Sequence, residues 1–156
     1  MISEVLLESF TLIGDMYGEA IDQVPDKQWK TGEIDYLTPS RIISHVLMSG
    51  DFYSGNTTDF DWNSRFSSSP MELRQDQLPS KEKVAEYHIY VKDKITKWLR
   101  SHNDVSLSKE ENVFAWIGTT RMSRMLYLLA HYRQHFGELN AELRRRGLER
   151  IKWKTF

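Results

Sequence analysis

Four stretches of this chain repeat their apolar residues every three or four positions, and none alternates apolar and polar residues as a half-buried strand would. That periodicity confines the chain to helices that bury one face each. The first stretch runs from about Ile2 to Gln23, with Ile2, Val5, Leu6, Leu12, Ile13, Met16, Tyr17, Ala20 and Ile21 in phase; Pro25 ends it, having no N–H for the next turn. The second opens at Thr38-Pro39, with Thr38 as the expected cap and Pro39 at the first helical position, and fades near Gly55. The third runs from Ser80 to about Ser101 on Val84, Tyr87, Val91, Ile95, Trp98 and Leu99. The fourth starts at Thr119 or Thr120 and reaches Arg146, with Gly147 at the left-handed cap position and Arg144, Arg145 and Arg146 at the negative end of the helix dipole.

The connections differ in length. Ser54 to Leu78 is a long polar stretch that still carries Phe60, Trp62 and Phe66, and Ser69-Pro70-Met71-Glu72 has the capping-box pattern of one short turn. His102 to Gly118 is a second long connection, with another such pattern at Ser108 to Glu111. With no internal repeat and no linker-like break, residues 1–156 are expected to form one all-α domain, a four-helix bundle.

Composition then narrows the chemistry. There is no cysteine, which excludes disulfides, thiolate metal sites and a cysteine nucleophile. Lys plus Arg is 21 against 22 for Asp plus Glu, a net charge of −1 that argues against nucleic-acid binding. No window is apolar enough for a membrane span, and Glu4 and Glu8 interrupt the opening segment, so a cytoplasmic chain without signal peptide or membrane partner is expected.

Histidine is therefore the residue type to follow. His131 and His135 lie four apart on the fourth helix, a spacing that sets both imidazoles on one side and can chelate a divalent ion. Spacing alone is weak, since roughly 12% of shuffled chains of this composition contain such a pair. The zincin glutamate is also missing, because Tyr132 follows His131. On a helical wheel, Met122, Met125, Leu126, Leu129, Tyr132, Phe136, Leu139 and Leu143 form the core arc. His131 and His135 sit to one side of it with Arg121, Arg124, Leu128 and Glu138, either solvated or lining a cleft. His45 lies mid-helix between Ile42 and Met48, where a partly buried imidazole needs partners for both nitrogens. His88 and His102 have positions that call for no site, and the basic tail from Arg144 to Lys154 reads as a solvated helix end.

The segment Ser44-His45-Val46-Leu47, followed by Asp51-Phe52-Tyr53, together with HYRQHFGELNAELRRRG on the fourth helix, resembles the DinB/YfiT-like family of metal-dependent enzymes. The likeness covers nearly the whole chain. It implies a four-helix bundle in up-down-down-up order, frequently a homodimer, with one divalent ion on His45, His131 and His135. The ion would be zinc or nickel, with iron or manganese as alternatives. It further implies a thiol-dependent transferase or a hydrolase-like activity on a small molecule, with bacillithiol, mycothiol or glutathione as the cosubstrate. Phe136-Gly137-Glu138 departs from the Gly-Gln common after the second histidine in the family.

Three neutral imidazoles leave coordination positions open, as a catalytic site requires. Glu138 and Asp51 are the candidate hydrogen-bond partners of the ligands or proton acceptors, with surface carboxylates as the alternative; Tyr53, Trp62 and Tyr127 are candidate pocket walls. A second function class stays open: a non-catalytic small-molecule-binding or interaction module on the same bundle. Acidification through the histidine range is expected to release the ion.

Overall fold

The computed structural model describes residues 1–155. It is all-helical, with no strand among the described residues beyond a single bridge between Glu110 and Thr120. Four long helices, α1 (Ile2–Gln23), α3 (Pro39–Tyr53), α4 (Lys81–Arg100) and α6 (Arg121–Arg145), carry the core; α2 (Asp26–Trp29) and α5 (Asp104–Leu107) are single turns in the connections. Helix α1 packs on α4 and α6, and α3 packs on the same two, so α1 lies across the core from α3 and α4 across from α6. The pairing that matters most is α3 on α6, the two helices that bear His45, His131 and His135.

The helix ends follow local chemistry. Ser80 Oγ accepts the Lys83 amide at 3.4 Å, and Thr120 Oγ1 accepts the Ser123 amide at 3.0 Å. Pro39 occupies the first turn of α3 as expected, but Thr38 does not cap it. Its hydroxyl donates back to the Asp35 carbonyl at 2.7 Å, because a 3₁₀ turn over Asp35–Leu37 brings that acceptor closer than the helical amides. At the far end Gly147 takes φ +71°, the Leu148 amide donates to the Leu143 carbonyl at 2.9 Å and the Gly147 amide to Arg144 at 3.0 Å, the two bonds of a left-handed cap. The box expected at Ser108 to Glu111 forms one turn earlier, where Asn103 Oδ1 accepts from the Ser106 amide and Ser106 Oγ accepts from the Asn103 amide. An asparagine that can cap competes with the later serine and wins, since α5 needs only one turn to bury Leu107.

Neither long connection is loose. Phe66, Leu73 and Leu78 of the first enter the core, and the buried Arg41 donates to the Pro70 carbonyl and pairs with Asp35. Both connections meet at Arg124, which is 2% exposed: Nη1 donates to the Gly55 carbonyl at 2.7 Å and Nη2 to Glu111 Oε2 at 3.0 Å.

The buried side of α6 is also wider than hydropathy suggests. Leu128 is fully buried and Leu126 is 52% exposed, the reverse of the arc expected from sequence, because Arg124, Leu128, His131, His135 and Glu142 turn toward α3 and the connections. The phase of the buried face is set by where its polar residues find partners, which hydropathy does not record.

Helices approach closely at Gly50 on α3. A Cβ there would press into the Tyr132 hydroxyl and lie 2.8 Å from Val91 Cγ1. The Tyr132 hydroxyl is itself buried without a hydrogen-bond partner. Gly50→Ala is expected to lose about 1–3 kcal/mol to overpacking despite the better helix propensity of alanine. Tyr132→Phe is expected to match or exceed wild-type stability and to shrink the cost of Gly50→Ala. Urea unfolding of the two single variants and the double variant checks both statements.

Candidate metal centre

His45 is on the middle of α3, at the seam with α6, and His131 and His135 occupy successive turns of α6 on the side that meets it. The ring centroids are 5.1 Å apart for His45 and His131, 5.0 Å for His45 and His135, and 4.4 Å for His131 and His135. One ligand nitrogen from each lies within 4.8 Å of the other two. Nitrogens bound to a common tetrahedral ion sit roughly 3.4 Å apart. Closing the widest pair thus takes at most about 1.4 Å, shared between two rings and within the reach of small changes at χ1 and χ2.

The surroundings suit a cation. Glu138 Oε2 lies 2.7 Å from His135 Nδ1, which holds a proton on that nitrogen and leaves Nε2 as the ring's lone pair. A carboxylate behind a ligating imidazole fixes the ring's tautomer and raises its basicity toward a metal. Ser49, one turn beyond His45, places its Oγ 3.0 Å from the His45 carbonyl and 3.2 Å from His131 Nε2, so one hydroxyl ties the two histidine-bearing helices together. A serine four residues after a candidate ligand is the signal that marks it in the sequence. That signal is easily passed over, because helical serines so often bond only their own backbone.

Burial, reinforced by the neighbouring His135 imidazole, lowers His45 from the ordinary 6.5 to about 4. Burial first, then His135 and His45, lowers His131 to about 4 as well. Both rings are neutral at physiological pH, the state a metal requires. Proton competition for these two ligands therefore sets in below the ordinary imidazole range, lower than the free histidine value implies.

Asp51 stands elsewhere. Six residues from His45, it is rotated roughly 120° around the helix. Its carboxylate accepts from the Tyr87 hydroxyl at 2.8 Å, pairs with Lys94 and lies 3.7 Å from Arg65 Nε, so its polar contacts are to α4 and the first long connection. Tyr127 lies nearly parallel to His131 and offset from it, with centroids 6.1 Å apart and planes 19° apart, and Tyr53 meets Tyr127 at 5.3 Å; Trp62 lies further out, against Phe52 at 5.1 Å. His88 is bonded to the Gly14 carbonyl and His102 to the Trp98 carbonyl, each at 2.8 Å, both outside the cluster. In the basic tail, Arg145 and Arg146 are held by Glu142, and Lys154 pairs with Glu19.

No family model, no curated protein and no solved structure matches this chain.

Between pH 6.5 and about 4 the unfolded chain binds protons at positions 45 and 131 that the folded metal-free chain refuses, so its stability must fall as pH drops through that window. Urea unfolding of metal-free protein at pH 7, 5.5 and 4.5 is expected to show the decline. The His45→Gln, His131→Gln double variant should show a shallower one. Glu138→Gln is expected to lower metal affinity by about 10- to 100-fold with little change in apoprotein stability, as read by competition with a chromogenic chelator.

Proposed function

We propose that this chain is a metal-dependent enzyme of the DinB/YfiT-like kind, a four-helix bundle in which His45, His131 and His135 hold one divalent ion. The observation that carries this reading is the convergence of three imidazoles from two helices that pack directly on each other, one of them already backed by a carboxylate. A chance pair at helical spacing gives no reason for a third histidine 86 residues earlier to meet it.

The donor set fits zinc or nickel, with iron or manganese as the alternatives. Such an ion supplies Lewis acidity at open coordination positions, which activates a water or a thiol at neutral pH. The chain's own groups do the rest. Glu138 keeps the proton on His135 Nδ1 and so leaves the opposite nitrogen as the lone pair for the ion. Ser49 holds His131 against α3, and Tyr127 lies alongside the same ring, nearly parallel to it. With no cysteine in the chain, a sulfur nucleophile has to arrive on a low-molecular-weight thiol such as bacillithiol, mycothiol or glutathione. The favoured reaction is a thiol transfer to a small electrophile, in which a sulfur–carbon bond forms and the leaving group departs with the thiol's proton. A hydrolysis with water in the thiol's place is the nearest relative of that reaction. The proposed setting is a cytoplasmic homodimer.

Protein purified without chelator is expected to carry about one divalent ion per chain by elemental analysis, and His131→Ala far less. Equal, substoichiometric metal in both would end the proposal. A screen of the loaded protein across low-molecular-weight thiols and electrophiles then separates the transferase from a binding module, which would hold the ion and turn nothing over.

A further inference from the structure

Beside the histidines the chain spends aromatic area on solvent. Trp116 is 61% exposed, Trp62 41% and Tyr127 40%. Isolated exposed rings are ordinary, but these three belong to one connected wall. Tyr127 stacks on His131 and meets Tyr53; Trp116 Nε1 donates to the Tyr53 hydroxyl at 3.3 Å; and Phe52, mostly buried beneath them, contacts both Trp62 at 5.1 Å and Trp116 at 6.4 Å with its plane only 19° from the latter. The wall thus runs without a break from a candidate metal ligand out to the two long connections.

It is also held in place. Phe114, fully buried behind Trp116, has the Arg124 guanidinium 4.9 Å from its ring centre. The same guanidinium is bonded to Gly55 in the first connection and to Glu111 in the second. Trp62 and Trp116 come from those two connections. A ligand stacking on them meets rings whose backbone supports are already ordered, which reduces the entropic cost of binding.

We infer that this wall is the substrate platform of the centre, and that the substrate is a small molecule with a flat aromatic body carrying one nitrogen, oxygen or sulfur donor that reaches the ion. The inference rests on the metal-centre reading above. Ring faces are what the wall offers, and the Trp116 N–H is already spent on Tyr53, so stacking, not ion pairing, selects the body. Continuity with His131 selects a small molecule over a protein partner, because the wall steps from Trp116 through Tyr53 and Tyr127 to a ring of the cluster, a path of a few side chains.

The test uses the full chain loaded with cobalt(II) and two probes, imidazole and 4-phenylimidazole, titrated by the visible absorption of the cobalt. Wild type is expected to bind 4-phenylimidazole at least about tenfold more tightly than imidazole. Trp116→Ala and Trp62→Ala are each expected to pull that ratio toward one, leaving cobalt affinity and the imidazole Kd unchanged. Equal affinities in wild type, or a ratio that survives both substitutions, would overturn the platform. So would sedimentation showing that Trp116→Ala splits a dimer, since the wall would then be a subunit contact. If the chain fails to hold cobalt stoichiometrically, the metal-centre reading fails by itself. The wall is then judged on metal-free protein: saturable quenching of tryptophan fluorescence by 4-phenylimidazole, lost in Trp116→Ala, supports it, and no quenching overturns it.

Discussion

Arg124 and Glu142 lie on one face of α6, five turns apart, and both are withdrawn from water at 2% and 1% exposure. Burying an unpaired charge is costly enough that each must be matched on the spot. Arg124 is matched by Glu111 at 2.8 Å, by the Gly55 carbonyl and by the faces of Trp98 and Phe114. Glu142 is matched by Arg145 at 2.8 Å and Arg146 at 2.7 Å, which hold its carboxyl below the usual range. Between them on the same face stand Leu128, His131 and His135. Once both ends of the stripe are fastened, the rotation of α6 about its axis is fixed, and with it the direction in which the two imidazoles project. His45 meets them because α3 packs along that stripe.

The same two anchors organise the rest of the surface. Arg146 extends Glu142's network to the carbonyls of Gln28 and Thr31, and Arg145 reaches Glu33, so the connection after α1 is tied to the end of α6. Arg124 does the equivalent for the two long connections at the other end. The arginine-rich turn before Gly147 is therefore spent largely within the molecule: two of its three cations close a buried carboxylate.

What could be read from residues alone was mostly what is local. Ser80, Thr120, Pro39 and Gly147 mark helix ends because a cap depends on a few neighbouring atoms. The histidine at position 45 and the pair at 131 and 135 are legible as candidate ligands, since imidazole is the nitrogen donor that suits divalent transition metals in a chain without cysteine. The polar burial on α6 was not readable. Arg124 finds Glu111 thirteen residues back, across a connection whose path no periodicity encodes, so the helical wheel alone leaves its side of α6 open between solvent and a cleft. Leu126 and Leu128 exchange places for the same reason. Asp51 shows the matching failure on α3: proximity in sequence put it with His45, whereas its rotation around the helix hands it to Tyr87 and Lys94.

The reluctance of His45 and His131 to take up protons has a direct bearing on what the cluster can hold. Burial disfavours a charge on His45 and on His131, and the neighbouring imidazoles disfavour it further, so neither ring takes up a proton in the ordinary imidazole range. A divalent ion escapes the second penalty, because one centre satisfies three lone pairs at once and no two rings need be charged. It reduces the first as well, since the Glu138 carboxylate beside His135 offsets part of the incoming charge. The arrangement that makes His45 and His131 poor bases thus leaves their lone pairs free for a cation at neutral pH. Three convergent imidazoles kept only for structure would gain nothing from that distinction, since hydrogen bonds to Ser49 and Glu138 account for two of the rings without requiring the third to be present.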